Sequence, residues 1–207
     1  MPNWCSNTLK VHSTNEERLK EFKQAVLVPN TEHPDWDPSF TFNNLYPTPP
    51  ELMDENAFGK SENSEVLEQK YGASDWYTWR VSNWGTKWDA AESGISADDD
   101  QNLIVWFDTA WSPPVPWLEK IAPQFPELSF SMVFEEPGMD FCGIVEYENG
   151  ECTNQEEGVI VNEDPETGRE VTYNNETEKW HFTDTNEPAS DDDSYWPECI
   201  NPYGLDF

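Results

Sequence analysis

At 207 residues the chain exceeds one ordinary domain of roughly 150 residues, which leaves room for one main domain with an extension and excludes a multidomain machine. It carries 42 acidic against 11 basic residues, a formal charge of −31; direct binding to DNA, RNA or an anionic membrane face is excluded, because neutralising phosphate takes Lys and Arg. Leu, Ile, Val and Phe make up about 19 per cent of the chain, which with this charge borders on disorder. The 11 Trp and 7 Tyr offset that shortage, since a large aromatic side chain buries some 150–250 Å². A folded chain with an aromatic core and a very acidic surface is expected.

In chain order, Asn3 to Ser13 reads as a strand, with Cys5, Leu9 and Val11 on the core parity and Ser6, Thr8, Lys10 and His12 on the other. Thr14 and Glu17 fit a capping box, and Leu19, Phe22 and Val26 recur at helical spacing until Pro29. Residues 31–50 read as a Pro- and Asp-rich loop with one short Phe40, Phe42 alternation, and a polar helix is predicted over Ser64 to Tyr71. Seven of the eleven tryptophans fall between Trp76 and Trp117. Within this zone a helix capped by Asp75 runs from Trp76 to Trp84 and stops at Gly85. Leu103 to Phe107 is a buried-strand run, Pro113-Pro114 opens a second amphipathic helix through Phe125, and Leu128, Phe130, Met132 and Phe134 alternate as a strand with one wet face. The order strand, helix, strand, strand, helix, strand predicts an α+β, ferredoxin-like sandwich with a Trp-rich insertion around residues 43–101.

Beyond Gly138, Phe141 to Tyr147 reads as a strand and Asn149-Gly150 as a type I′ hairpin turn that pairs Glu148 with Glu151 and Tyr147 with Cys152. Short strands at Val159 to Val161, Val171 to Tyr173 and Lys179 to Phe182 complete an acidic antiparallel β-meander, and residues from Asp184 on read as a loosely packed tail. The predicted division is residues 1–148 for the ferredoxin-like domain and 149–207 for the meander and tail. Residues 121–207 hold 22 acids and 2 bases, against 20 acids and 9 bases in residues 1–120, so the meander is the electrostatic pole.

Cys5, Cys142, Cys152 and Cys199 contain no CxxC pair and have no His placed to complete a zinc site. Met1 to Ser13 lacks the pattern of a signal peptide, and no run approaches 18 apolar residues. A cytoplasmic protein of the host cell with reduced thiols is the expectation.

Five ordered motifs stand out: Met1-Pro2-Asn3-Trp4-Cys5-Ser6-Asn7, Phe42-Asn43-Asn44-Leu45-Tyr46-Pro47, Asn83-Trp84-Gly85-Thr86-Lys87-Trp88-Asp89-Ala90, Thr109-Ala110-Trp111-Ser112-Pro113-Pro114 and Glu136-Pro137-Gly138. Together they resemble the YubB-like, ferredoxin-like proteins carried by phages and conjugative plasmids, over roughly residues 1 to 148. The resemblance implies a ferredoxin-like fold and a mobile-element origin, and brings no catalytic residues with it. The meander after residue 150 falls outside these motifs.

Nucleophilic and metal chemistry are poorly supported. Cys5 and His12 project from opposite faces of one strand. The run from Asn162 fails as a calcium loop because its sixth and twelfth places hold Thr167 and Tyr173. The expectation is a non-enzymatic protein with no cofactor and no metal; a metal-assisted hydrolase using the Asp clusters is the enzymatic alternative.

Two binding readings remain. Same-face strand residues lie about 6.6–6.8 Å apart, a spacing at which acids on a wet face imitate consecutive phosphates. Glu146, Glu148, Glu151, Glu156, Glu157, Glu163, Asp164, Glu166, Glu170, Glu176, Glu178, Asp191, Asp192 and Asp193 would form such a face, drawing in a basic host protein, above all a nucleic-acid-binding defence factor, as a DNA mimic. The alternative is an accessory module whose Trp84, Lys87, Trp88 and Trp111 line a groove for a protein or small ligand. Neither reading fixes the oligomeric state.

Overall fold

A computed structural model describes residues 2–30, 37–53, 63–164, 167–174, 177, 179–189 and 197–200. Strand β1 (Trp4–His12) buries Cys5, Asn7, Leu9 and Val11 and leaves the alternate residues outward. Helix α1 (Glu16–Val26) packs Leu19, Phe22 and Val26 into the same core. Its cap is Asn15, whose side chain accepts from the Arg18 N–H at 3.2 Å, not the predicted Thr14.

The chain next forms a two-stranded ribbon of β2 (Leu27–Val28) and β3 (Ser39–Phe40), then α2 (Pro50–Met53), α3 (Ser64–Tyr71) and α4 (Trp76–Trp84). Asp75 caps α4 by accepting from the Thr78 N–H at 2.8 Å, as its sequence predicts. A hairpin of β4 (Ala91–Asp98) and β5 (Asn102–Ala110) follows, then α5 (Val115–Ile121) running into a 3₁₀ turn at Ala122–Gln124, and β6 (Ser129–Glu136).

Strands β6, β1, β5 and β4 lie side by side in that order, all antiparallel. With α1 following β1 and α5 following β5, this is the ferredoxin-like α+β arrangement. Its second strand is Ala91–Asp98, which lies within the predicted insertion of residues 43–101. The short strand read at Phe40 instead belongs to the separate ribbon.

Beyond β6 the same sheet continues through β7 (Phe141–Glu148), β8 (Glu151–Glu163), β9 (Glu170–Asn174) and β10 (Lys179–Phe182), while β11 (Pro197–Ile200) also pairs with β8. The turn between β7 and β8 has φ of 53° at Asn149 and 79° at Gly150, and it sets Glu148 opposite Glu151 and Tyr147 opposite Cys152, the register its sequence predicts. Of the tail, residues 184–188 are exposed as expected, while Ala189 is buried; two contacts tie it down, the Ala189 N–H donating to the Trp180 carbonyl at 2.8 Å and Arg169 pairing with Asp184 at 2.5 Å.

One face of the sheet carries the helices. Leu103, Val105 and Phe107 of β5, Phe130, Met132 and Phe134 of β6, and Val145 and Tyr147 of β7 point into it, where they meet Phe22, Trp84, Trp117 and Ile121. Rings supply much of this core: Phe107 stacks on Phe40 at 4.7 Å between centroids, and Phe42 meets Trp84, Phe107 and Trp117. Among the described residues the opposite face has no helix over it. Ser6, Lys10 and His12 of β1, Trp106 of β5 and Glu135 of β6 are exposed there. Among the described residues no helix is long and apolar enough to cross a membrane.

Candidate functional site

Strand register decides which acids act together. Glu146 lies opposite Asn154, Ile144 opposite Glu156, and Glu148 opposite Glu151. Because side chains of directly paired residues emerge on the same side, Glu146, Glu148, Glu151 and Glu156 all stand on the uncovered face. Two residues absent from the sequence-predicted set join them there: Glu135, paired with Cys142, and Asp108, paired with Ser6. The alternation within β5 and β6 was the signal for both. Glu146 is held by the Asn154 amide, which donates to its Oε2 at 3.2 Å.

The other predicted acids divide. Glu157 lies opposite Gly143 and shares the parity of Val145 and Tyr147, so it projects from the opposite face. Glu163 and Glu170 face each other across β8 and β9. Asp164 is withdrawn from the predicted surface: it is buried, and its Oδ1 accepts from both the backbone N–H and the hydroxyl of Thr167 at 2.8 and 2.9 Å. It is an Asx-type turn residue. Glu166, Glu176, Glu178, Asp191, Asp192 and Asp193 lie outside the described residues.

The predicted groove is also revised. Trp84 is fully buried, its Nε1–H donates to the Tyr46 carbonyl at 2.8 Å, and the Arg80 guanidinium sits 4.7 Å from its ring centre. It is a core residue and lines no groove. Trp88 and Trp111 are exposed, the Trp88 ring lies 6.2 Å from that of Trp4, and Lys87 Nζ rests 4.6 Å from the Trp88 ring centre. Trp4 was not among the predicted groove residues, although its place on the outward parity of β1 marks it.

The five motifs have structural work in common. The Asn7 amide donates to the carbonyls of Cys5 and Phe107 and to Thr109 Oγ1. Thr86 Oγ1 both donates to the Ala110 carbonyl and accepts from the Ala110 N–H, each at 3.1 Å. Asp89 accepts from Thr41 Oγ1 and the Phe42 N–H, and the Trp111 N–H donates to the Asn3 carbonyl. Buried polar groups need such partners, and these bonds join β1, β5 and the Trp-rich segment at one end of the sheet. Glu136 closes this end: it is buried, with Oε1 accepting from the Gly138 N–H at 3.0 Å.

Among the described residues no group of three or more His, Cys, Asp or Glu is placed to hold a metal ion. Cys5 is fully buried, and that burial pushes its thiol from 9.0 up to about 12, away from the reactive thiolate. Cys142 is disulfide-bonded, so the expectation of reduced thiols fails there; its partner is not Cys152, which like Cys5 is free.

Burial likewise raises the Tyr147 hydroxyl from 10.0 to about 12. Both groups are kept protonated by the fold, so between pH 9 and 12 the folded chain binds more protons than the unfolded one. Their contribution is complete below about pH 9 and is lost as pH climbs toward 12. Denaturation midpoints measured across this range are expected to fall, and Cys5→Ala is expected to flatten the first part of the decline.

Fold and site together define a ferredoxin-like α+β protein with an enlarged sheet whose uncovered face is acidic. Residues 83–183 match the model of a family described as the ferredoxin-like domain in Api92-like protein. The matched span starts at the end of α4 and runs through β10, so β8, β9 and β10 fall within it and β11 does not. A crystal structure of a protein api92 from Yersinia pseudotuberculosis is similar to this chain at 11% identity and a TM-score of 0.47, covering 75% of this chain and 97% of that one. No curated protein matches the chain.

Proposed function

We propose that this protein is a non-enzymatic inhibitor that captures a basic, nucleic-acid-binding protein on its acidic sheet face and so competes with DNA. The observation that carries this reading is the placement of Glu146, Glu148, Glu151 and Glu156, with Glu135 and Asp108, on one face that no helix of the described residues covers. A small domain stays soluble with a net charge of only about 2 to 8, so −31 far exceeds that need. Long-range attraction from such a face raises the encounter rate with a basic partner and makes binding strongly salt-dependent. The motif resemblance to phage- and plasmid-borne proteins supports a more particular role, inhibition of a host defence nuclease.

Pull-down from a bacterial lysate is expected to recover nucleic-acid-binding proteins, to recover fewer as salt rises, and to lose them to excess duplex DNA. Capture that survives excess DNA overturns the reading.

The exposed Trp4 and Trp88 rings, 6.2 Å apart, favour a second reading, an accessory module that binds through this end of the sheet.

A further inference from the structure

A cleft of about 720 Å³ opens at the outer edge of the sheet, where β4 meets the segment leading into β3, and its lining includes Asp37, Ser39, Glu92, Ser93, Gly94 and Trp106. Two hydrogen bonds fix that segment against β4: the Phe40 N–H donates to Ser93 Oγ at 2.9 Å, and the Ile95 N–H to Asp37 Oδ2 at 3.5 Å. Trp106 is 44% exposed although it lies mid-strand. It sits opposite Gly94, and a Cβ at that position would fall 2.7 Å from three atoms of the indole. The ring therefore lies across a residue that has no side chain to displace it, with its remaining surface turned to solvent.

The lining of the cleft also holds two acids, Asp37 and Glu92. Glu92 falls at a bulge between Ala91 and Ser93, with φ of 31°, and bulges re-aim a side chain out of the strand alternation. No Lys, Arg or His is among the described residues that line the cleft. Neither Asp37 nor Glu92 takes part in an ion pair among the described residues.

We infer that this cleft binds a planar cation of the guanidinium type, stacked on Trp106 and neutralised by Asp37 and Glu92. A guanidinium stacks on an indole face and donates to carboxylates in one plane, whereas a compact ammonium uses the face less fully and a neutral planar group forgoes both carboxylates. The site stands apart from the β7–β8 acids: three strands separate β8 from β5 in the sheet.

The test titrates the full chain with ethylguanidinium, with ethylammonium and with the neutral isostere ethylurea, following indole N–H resonances and heat of binding. Ethylguanidinium is expected to bind tightest and to shift the one indole signal that disappears in Trp106→Ala. That variant is expected to weaken binding about three- to thirtyfold. Asp37→Asn with Glu92→Gln, which leaves the aromatic wall in place, is expected to weaken it comparably while near-ultraviolet circular dichroism stays unchanged. Neutralising Glu146, Glu148, Glu151 and Glu156 is expected to leave ethylguanidinium affinity as it was.

A capped Gly-Arg-Gly peptide distinguishes the two sources of such a group. Tighter binding than ethylguanidinium identifies an arginine side chain of a partner protein, and equal binding a free small cation. Equal affinity for ethylurea, or unchanged affinity in the Asp37 and Glu92 variant, overturns the assignment.

Discussion

Trp84→Ala is expected to cost roughly 3–5 kcal/mol, the range for truncating a large buried aromatic residue, and so to remove a large part of a stability that for natural domains totals only about 5–15 kcal/mol. Three losses combine at this one position. The ring packs on Phe42 and Trp79 at centroid distances of 5.8 and 6.0 Å, so its removal opens a cavity among rings too rigid to close it. The Tyr46 carbonyl loses the indole N–H that donates to it. The Arg80 guanidinium, whose pKa burial already lowers, loses the aromatic face beside it. Trp84→Phe keeps much of the volume and forfeits the hydrogen bond, a difference of about 1 kcal/mol on top of partial cavity cost. Trp88→Ala, at an exposed ring, is expected to stay within about 1 kcal/mol of the parent. Urea denaturation of the three variants checks the ranking. Equal stability of Trp84→Ala and the parent would remove Trp84 from the core and return it to the groove.

The same contrast shows what was legible before the fold was known. Helix α4 announced itself through Asp75, Gly85 and a local pattern, so its position follows from sequence; whether Trp84 or Trp88 is buried depends on how the segment docks on Phe42 and Tyr46, which lie some 40 residues away. The β7–β8 register was equally legible, because Asn149-Gly150 accepts the positive φ of a two-residue turn and thereby fixes every pairing up to the bulge. Strand β4 was not. Ala91–Asp98 is an edge strand with two irregularities and small or polar residues on both parities, so neither alternation nor a continuous apolar run marks it.

Trp106 was hidden for the opposite reason. Leu103 to Phe107 is apolar at every position, which reads as burial on both faces, yet the helices of the described residues cover only one. Leu103, Val105 and Phe107 take the covered side, and Trp106 is left on the open one. An apolar run marks a strand without saying how many of its faces are packed. For the acids the limit was parity: composition located the negative pole, but only pairing separates Glu156 from Glu157, and only the turn at Thr167 removes Asp164 from the surface.

Replacing Glu146, Glu148, Glu151 and Glu156 together by Gln is expected to separate stability from binding in opposite directions. In the free protein these carboxylates repel one another. Glu148 and Glu151 are a directly opposed like-charged pair, and such pairs cost a few tenths to about 1 kcal/mol. The variant should therefore unfold at the same temperature or a few degrees higher, since 1 kcal/mol corresponds to about 2–4 °C in a chain of this size. Binding of a basic partner should fall at least tenfold at low ionic strength, mainly through a slower association rate, and the remaining affinity should depend less on salt. A control that removes the same charge elsewhere, Glu65→Gln with Glu68→Gln, Glu119→Gln and Asp140→Asn, keeps the sheet face intact and is expected to retain most of the affinity. Net charge acting as a diffuse field would make the two variants equivalent; a patterned acidic face makes only the first one fail. Association kinetics at two salt concentrations, set beside the thermal midpoints, decide between them.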